Sequence, residues 1–355
     1  MENSNSIYLK GLNGLRAIAA ISILISHVSQ PEYSNFSSSI LAIKTGFDGV
    51  TLFFVLSGFL ITFLLLNEDK KSKIDVKKFY VRRILRIWPL YYLFIVFCLV
   101  VCFIYNDKTE IFSNSIFYYL FFTANIPFAL AQGVHLIMHF WSISVEEQFY
   151  AFWPWFIKIF KNKLFISIFY FIVFLFLVKF SARFFLGKDD FIYRIITVTR
   201  FHCMLIGALA AIIYFQKFNK ILNFMTNKFV QIFFWMLFVL LTFNLLKIPA
   251  IVSAEITSII SVFIILGQVE NKNFKFSLET KMLNFLGKIS YGIYVIHPLM
   301  IYLVSKNYNY KAHSSLENNI YIYGIVILLT IVLSKLSYEL FEKKFLKMKS
   351  KYTIV

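Results

Sequence analysis

What most constrains this chain is a succession of long apolar runs, among them 90–104, 165–178 and 320–333, each divided from the next by a short polar segment. Runs of this kind are solvated by lipid or by one another rather than by water. Of the 355 residues 59% are hydrophobic and 15% are charged, whereas soluble domains carry about a quarter charged residues. A water-soluble fold is excluded, and the fold class that follows is all-α: a polytopic integral membrane helical bundle. The chain has 36 Lys and Arg against 18 Asp and Glu, a formal charge of +18. In a soluble protein that excess would suggest nucleic acid; between apolar runs it fixes topology, so membrane lipid and no nucleic acid is expected as a partner. Cys98, Cys102 and Cys203 all lie inside apolar runs without metal-type spacing. They read as small buried residues, with no disulfide and no metal site expected.

Cutting the apolar stretches at polar breaks places spans near 12–30, 46–66, 87–105, 141–160, 163–180, 200–216, 229–246, 249–268, 282–302 and 319–341, about ten transmembrane helices. The segment 115–131 is ambiguous, because Asn125 and Pro127 interrupt a short apolar run. The distribution of cations decides. If 115–131 does not span, the inner segments hold 24 Lys and Arg and the outer segments 10; if it spans, the numbers become 18 and 16. The first arrangement puts both termini in the cytoplasm, although five cations in 179–200 then lie outside against the rule. The first residues have no basic leader region and no small-residue cleavage site, so the first span is expected to stay as an uncleaved anchor. With no internal repeat and no linker, residues 1–355 read as one integral membrane domain.

In such a chain the informative residues are polar ones within spans, because an ionisable group in hydrocarbon needs a partner or a wet cavity. Arg16 and His27 are eleven residues apart, which places them on nearly one helix face and about 16 Å apart along the axis. Alone, Arg16 is equally an anchor at the headgroups and His27 a hydrogen-bonded interfacial histidine. Arg83 and Arg86 share a face in the basic run before the third span. They suit either a lipid-facing anchor or the phosphates of a cytoplasmic ligand. Glu146 and Glu147 lie near the start of a helix with Ser142, Ser144 and Tyr150. Either a serine caps the helix and the dipole favours the carboxylates, or these residues line a polar pocket. His297 and Arg200 are expected on the same side as His27. Asp48, Glu255, Lys335 and Glu339 receive no role, the last two being spaced as an i,i+4 pair.

Five segments in order resemble the acyltransferase type 3 family, membrane proteins that O-acylate sugars of bacterial envelopes. They are GLNGLRAIAAISILISHVS (11–29), FDGVTLFFVLSGFLIT (47–62), FYVRRILRIWPLYY (79–92), HFWSISVEEQFYAFWPW (139–155) and LGKISYGIYVIHPL (286–299). RFHCMLIGALAA (200–211) and SYELFEKKF (337–345) add to them. Thr51 stands where the family often has an acidic residue, and Lys344 where it often has a proline.

The resemblance implies an O-acyltransferase in the bacterial cytoplasmic membrane. The donor would be acetyl-CoA or another cytoplasmic acyl-CoA, with no permanently bound cofactor. The acceptor would be a hydroxyl of a carbohydrate, a polysaccharide or lipid-linked glycan, on the outer side. No fused extracytoplasmic domain is expected, so a second envelope-side enzyme, where one is needed, is a separate chain. A sugar hydroxyl must lose its proton as it attacks the thioester, work suited to His27, with Glu146 or Glu147 orienting the imidazole, stabilising its charged form or binding sugar hydroxyls. Arg83 and Arg86 would hold the CoA phosphates, with Arg16 between them and the reacting end. Ser142, Ser144, Tyr150, His297 and Arg200 are candidates for the acceptor pocket. The rival is a transporter or flippase of lipid-linked sugars, which usually shows repeats or matched broken helices; consumption of acyl-CoA separates the two.

Overall fold

The computed structural model describes residues 8–28, 49–106, 115–270, 276–307 and 316–352, and among them every regular element is helical. Asp48 and the loop cations Lys44, Lys108 and Lys311 lie outside the described residues. The principal helices are α1 (Leu12–Val28), α2 (Gly49–Lys71), α3 (Val76–Ile104), α4 (Trp141–Ile159), α5 (Leu164–Phe185), α6 (Phe201–Phe215), α7 (Lys228–Thr242), α8 (Ala250–Glu270), α9 (Lys281–Lys288), α10 (Ser290–Asn307), α11 (Leu316–Ser337) and α12 (Lys343–Ser350). A helix satisfies its own peptide groups, which is what lipid demands of a spanning segment. The starts of α3, α7 and α9 fall at polar breaks where a side chain caps the first turn: Asp75 accepts from the Lys78 amide (3.0 Å), Asn227 from that of Phe229 (2.9 Å) and Thr280 from that of Leu283 (3.2 Å).

Among the described residues six helical stretches are long and apolar enough to cross a membrane, and eight if each of two bent pairs counts as one span. One bent pair is α9 and α10, which turn by 69° at their junction. The apolar α1 adds a shorter helix of 17 residues. The chain is thus a polytopic membrane helical protein. The ambiguous stretch 115–131 forms two five-residue helices, Ile116–Leu120 and Asn125–Ala129. Each rises only about 7.5 Å, too little to cross. Polar bonds fold them onto α4: Gln148 donates to the Phe122 carbonyl and to Asn125 Oδ1, both at 2.8 Å, and the Ala124 amide donates to Ser144 Oγ at 3.2 Å.

The centre is held by close backbone contact of α2 and α6. A Cβ on Gly58 would lie 1.9 Å from the Met204 carbonyl oxygen, and one on Gly207 would lie 2.1 Å from that of Val55. Close approach of this kind packs helices where burial from water supplies no drive. Cys203 on α6 and Cys98 and Cys102 on α3 are all buried. Lys179, read from sequence as a loop cation, is instead on α5 and only 2% exposed. It reaches Glu255 on α8 at 2.7 Å, with His202 Nε2 3.3 Å from the same carboxylate oxygen. Glu255 therefore has a partner that its sequence neighbours do not reveal. At the end of the chain a π-helical turn, Tyr338–Glu342, rotates the backbone before α12. The i,i+4 partner of Glu339 is Lys343 at 2.8 Å, rather than the Lys335 that the spacing suggested.

Candidate active site

The two ends of α1 face different chemistry. At the Arg16 end, α1, α2, α3, α4 and α10 line a partly open cavity, with about 820 Å³ of empty space counting the part that opens to the surroundings. Its polar lining is Arg16, Ser57, Arg83, Arg86, Ser142, Glu146, Tyr150, Ser290, Tyr291 and Tyr294. Three guanidiniums thus face one carboxylate. Both oxygens of Glu146 are engaged: Ser57 donates to one at 2.6 Å and Tyr150 to the other at 3.3 Å. Arg83 is 6% exposed, its guanidinium 5.9 Å from the ring centres of both Phe79 and Tyr150, and its buried Nε meets no acceptor among the described residues. A buried donor left without an acceptor costs about 1–3 kcal/mol, more when charged, and three arginines against one glutamate give the cavity lining an excess of positive charge.

The adjacent arginine is different. Arg82 donates to the buried Glu68 at 2.6 Å and to the carbonyl of the exposed Tyr352 at 2.9 Å, which ties α2 and residue 352 to α3. One turn of α3 thereby splits its basic run into a structural arginine and two that line the cavity, because successive positions on a helix point about 100° apart.

At the other end of α1, His27 Nδ1 lies 2.8 Å from His297 Nε2 on α10, and His297 Nδ1 lies 3.1 Å from the carbonyl oxygen of Ile293. The ring of His139, in the 3₁₀ turn His135–Phe140, stands edge-on to His297 at 5.3 Å, and its Nε2 lies 3.2 Å from the Val295 carbonyl. Tyr294 and Phe53 both line the cavity, with ring centres 6.2 Å apart. Tyr294 is 5.9 Å from His297 by the same measure. Its hydroxyl donates to the His139 carbonyl at 2.6 Å and lies 2.5 Å from Ser142 Oγ.

The residues singled out by sequence thus divide. Arg16, Arg83, Arg86, Glu146, Ser142 and Tyr150 come together around the cavity, and His27 and His297 form a pair beyond its wall. Glu147 does not face the cavity: it accepts from Trp88 Nε1 at 2.9 Å, and its buried Oε1 has no donor among the described residues. Ser144 accepts from the Ala124 amide, and α4 starts at Trp141 with no side-chain cap, so neither serine caps it. Arg200, in a left-handed backbone conformation (φ 44°) between the Phe191–Thr199 helix and α6, donates to Thr51 at 3.1 Å and lies over Trp141 at 5.6 Å. Thr51, the position where an acidic residue was expected, is thus an acceptor facing that cation. Ser57, Tyr294 and His139 were missed as site residues. All three lie inside quoted motifs, but nothing in a single sequence marks a serine or tyrosine as lining a cavity.

Compared with known proteins, residues 9–339 match the model of the acyltransferase domain family, and the chain belongs to that family. It is 30% identical, over 96% of its length and 58% of the relative's, to a Staphylococcus aureus (strain COL) protein named "Putative O-acetyltransferase". It is 29% identical to the O-acetyltransferase OatA of S. aureus strain NCTC 8325, over 94% of this chain and 57% of OatA. The chain therefore spans somewhat more than half the length of these relatives. No solved structure matches it.

Proposed function

We propose that this chain is a membrane O-acetyltransferase that moves an acetyl group from cytoplasmic acetyl-CoA to a hydroxyl of an exported or envelope carbohydrate. The reading rests on one observation above all: a cavity with three guanidiniums against a single carboxylate at one end of α1, and a histidine at the other. Arg83 and Arg86 hold the phosphates of CoA, and Arg16 guides the arm that follows them. The acyl-pantetheine arm extends along α1 over the roughly 16 Å of helix that separate Arg16 from His27. The acceptor oxygen attacks the thioester carbonyl while the imidazole of His27 takes its proton. The C–S bond breaks, the ester forms, and the proton passes to the leaving thiolate, so that the products are the O-acetyl carbohydrate and CoA–SH. Glu146, fixed by Ser57 and Tyr150, limits the positive charge of the cavity.

On this reading the chain crosses a bacterial cytoplasmic membrane about ten times as a single domain with both termini inside, so the arginine end faces the cytoplasm and the His27 end the outside. Ser142 and Tyr150 face the arm, while Arg200 and the segments around it receive the acceptor. Membranes carrying the wild-type protein are expected to transfer labelled acetyl groups from acetyl-CoA into envelope carbohydrate. His27→Ala at matched expression is expected to abolish transfer and leave acetyl-CoA binding intact. Strong transfer by His27→Ala would end this mechanism, and a wild-type protein that neither binds nor consumes acetyl-CoA would end the assignment.

A further inference from the structure

Neither Glu146 nor Glu147 orients the imidazole of His27, since Glu146 is bonded to Ser57 and Tyr150, and Glu147 to Trp88. The group that meets it is another imidazole. We infer that His297 is the positioning residue that locks His27 in the tautomer with its lone pair on Nε2, an inference that rests on the acyl-transfer reading above.

The argument follows from what each atom can do. The Ile293 carbonyl only accepts, so the nitrogen 3.1 Å from it, His297 Nδ1, carries the proton. In neutral His297 the other nitrogen, Nε2, is then an acceptor. His27 Nδ1, 2.8 Å from it, is therefore the donor, and neutral His27 holds its lone pair on Nε2. One backbone carbonyl thus sets the protonation pattern of two rings. The lock is rigid: His297 is 0% exposed, its ring is flanked by His139 at 5.3 Å and Tyr294 at 5.9 Å, and its carbonyl partner lies one turn back on its own helix.

The pair also responds to the reaction. As the acceptor O–H gives its proton to His27 Nε2, the O–C bond forms and His27 becomes an imidazolium. Its Nδ1–H bond to His297 is then charge-assisted, hence stronger in the transition state than in the ground state. The proton on Nε2 next goes to the departing CoA sulfur, which restores the starting tautomer.

Two substitutions at one position and one measurement on the unchanged protein test this. Glutamine can place its carbonyl oxygen near the position of His297 Nε2 and still accept from His27, whereas leucine fills part of the space and accepts nothing. Acetyl transfer by wild type, His297→Leu and His297→Gln is followed at varied acetyl-CoA in solubilised protein. His297→Leu is expected to lose about 100- to 10,000-fold in kcat with its acetyl-CoA KM unchanged, and His297→Gln to recover to within about tenfold of wild type. Equal loss in both variants, a wild-type kcat in His297→Leu, or a change confined to KM overturns the inference. Independently of turnover and of mutant folding, ¹⁵N-histidine spectra of the wild-type protein, assigned by the signal lost in His27→Gln, are expected to show His27 protonated at Nδ1. A proton on Nε2 overturns the inference, while absence of transfer by a wild type with the expected spectrum overturns the acyl-transfer reading alone.

Discussion

Arg82 and Arg83 are neighbours in sequence with opposite expected consequences when truncated. Arg82 faces Glu68, which is 2% exposed, at 2.6 Å. Arg82→Ala leaves that carboxylate buried without its countercharge, with only the Asp75 amide donating to it at 3.0 Å, and also removes a donor from the Tyr352 carbonyl. Breaking a buried pair in this way costs about 3–5 kcal/mol, so the expected result is a large fall in melting temperature and in yield, with acetyl-CoA KM unchanged in whatever protein folds. Arg83 has no such partner; its Nε has no acceptor among the described residues and it faces the cavity. Arg83→Ala removes an unsatisfied buried donor at little or no cost in stability. On the proposed reading it also removes a charge-assisted bond to phosphate, worth about 1.5–3 kcal/mol, which at 1.4 kcal/mol per decade is about a 10- to 150-fold rise in acetyl-CoA KM. Melting curves and acetyl-CoA titrations of the two variants, purified side by side, give the answer. An Arg83→Ala protein that is destabilised but keeps its KM, beside an Arg82→Ala protein that is stable but binds acetyl-CoA poorly, would refute the division of this basic run.

Two further outcomes concern packing and pH. Gly58→Ala puts a methyl group 1.9 Å from the Met204 carbonyl; α2 and α6 must separate, at a cost of about 1–3 kcal/mol, read as a lower melting temperature. Glu279, in the polar segment before α9, is pushed up in pKa by partial burial but held below the usual 4.5 overall by hydrogen bonds from Tyr8, the Gly11 amide and Asn284. A depressed carboxylate contributes stability at pH values above its unfolded pKa and loses it as the pH falls through the folded one. Glu279→Gln is therefore expected to melt below wild type at pH 7, and the two melting curves to converge as the solution is acidified below the folded pKa; a constant difference at all pH values would contradict this.

The division between what the sequence shows and what only the fold shows has physical causes. Helices were legible because lipid permits little else, and helical phase put Arg83 and Arg86 on one face of α3; that Arg16 lies near them was implied only by the family resemblance, and the three do line one cavity. Phase within one helix does not reveal the partner across a gap. That is why Lys179, read as a loop cation, is found beside Glu255, 76 residues later in the chain. It is also why Ser57, 89 residues from Glu146, became visible only in three dimensions. The pairing of Lys335 with Glu339 assumed an α-helical ladder, and the π turn Tyr338–Glu342 follows directly on the helix that carries Lys335.

The separation of the arginines from the histidine pair carries the remaining argument. If the donor phosphates sit against Arg83 and Arg86, the thioester approaches His27 along a lining that includes Phe53 and Tyr294, the latter with its ring 5.9 Å from that of His297. An aromatic passage admits an acetyl-pantetheine arm by apolar contact while the charged nucleotide stays behind among cations. Phe53 and Tyr294 make that part of the cavity wall aromatic, which disfavours water beside a thioester passing it. The same wall ties donor to base, because the Tyr294 hydroxyl is bonded to the carbonyl of His139, whose ring packs on His297. Movement of Tyr294 to admit the arm therefore reaches the histidine pair through His139 and through α10 itself, which carries both Tyr294 and His297.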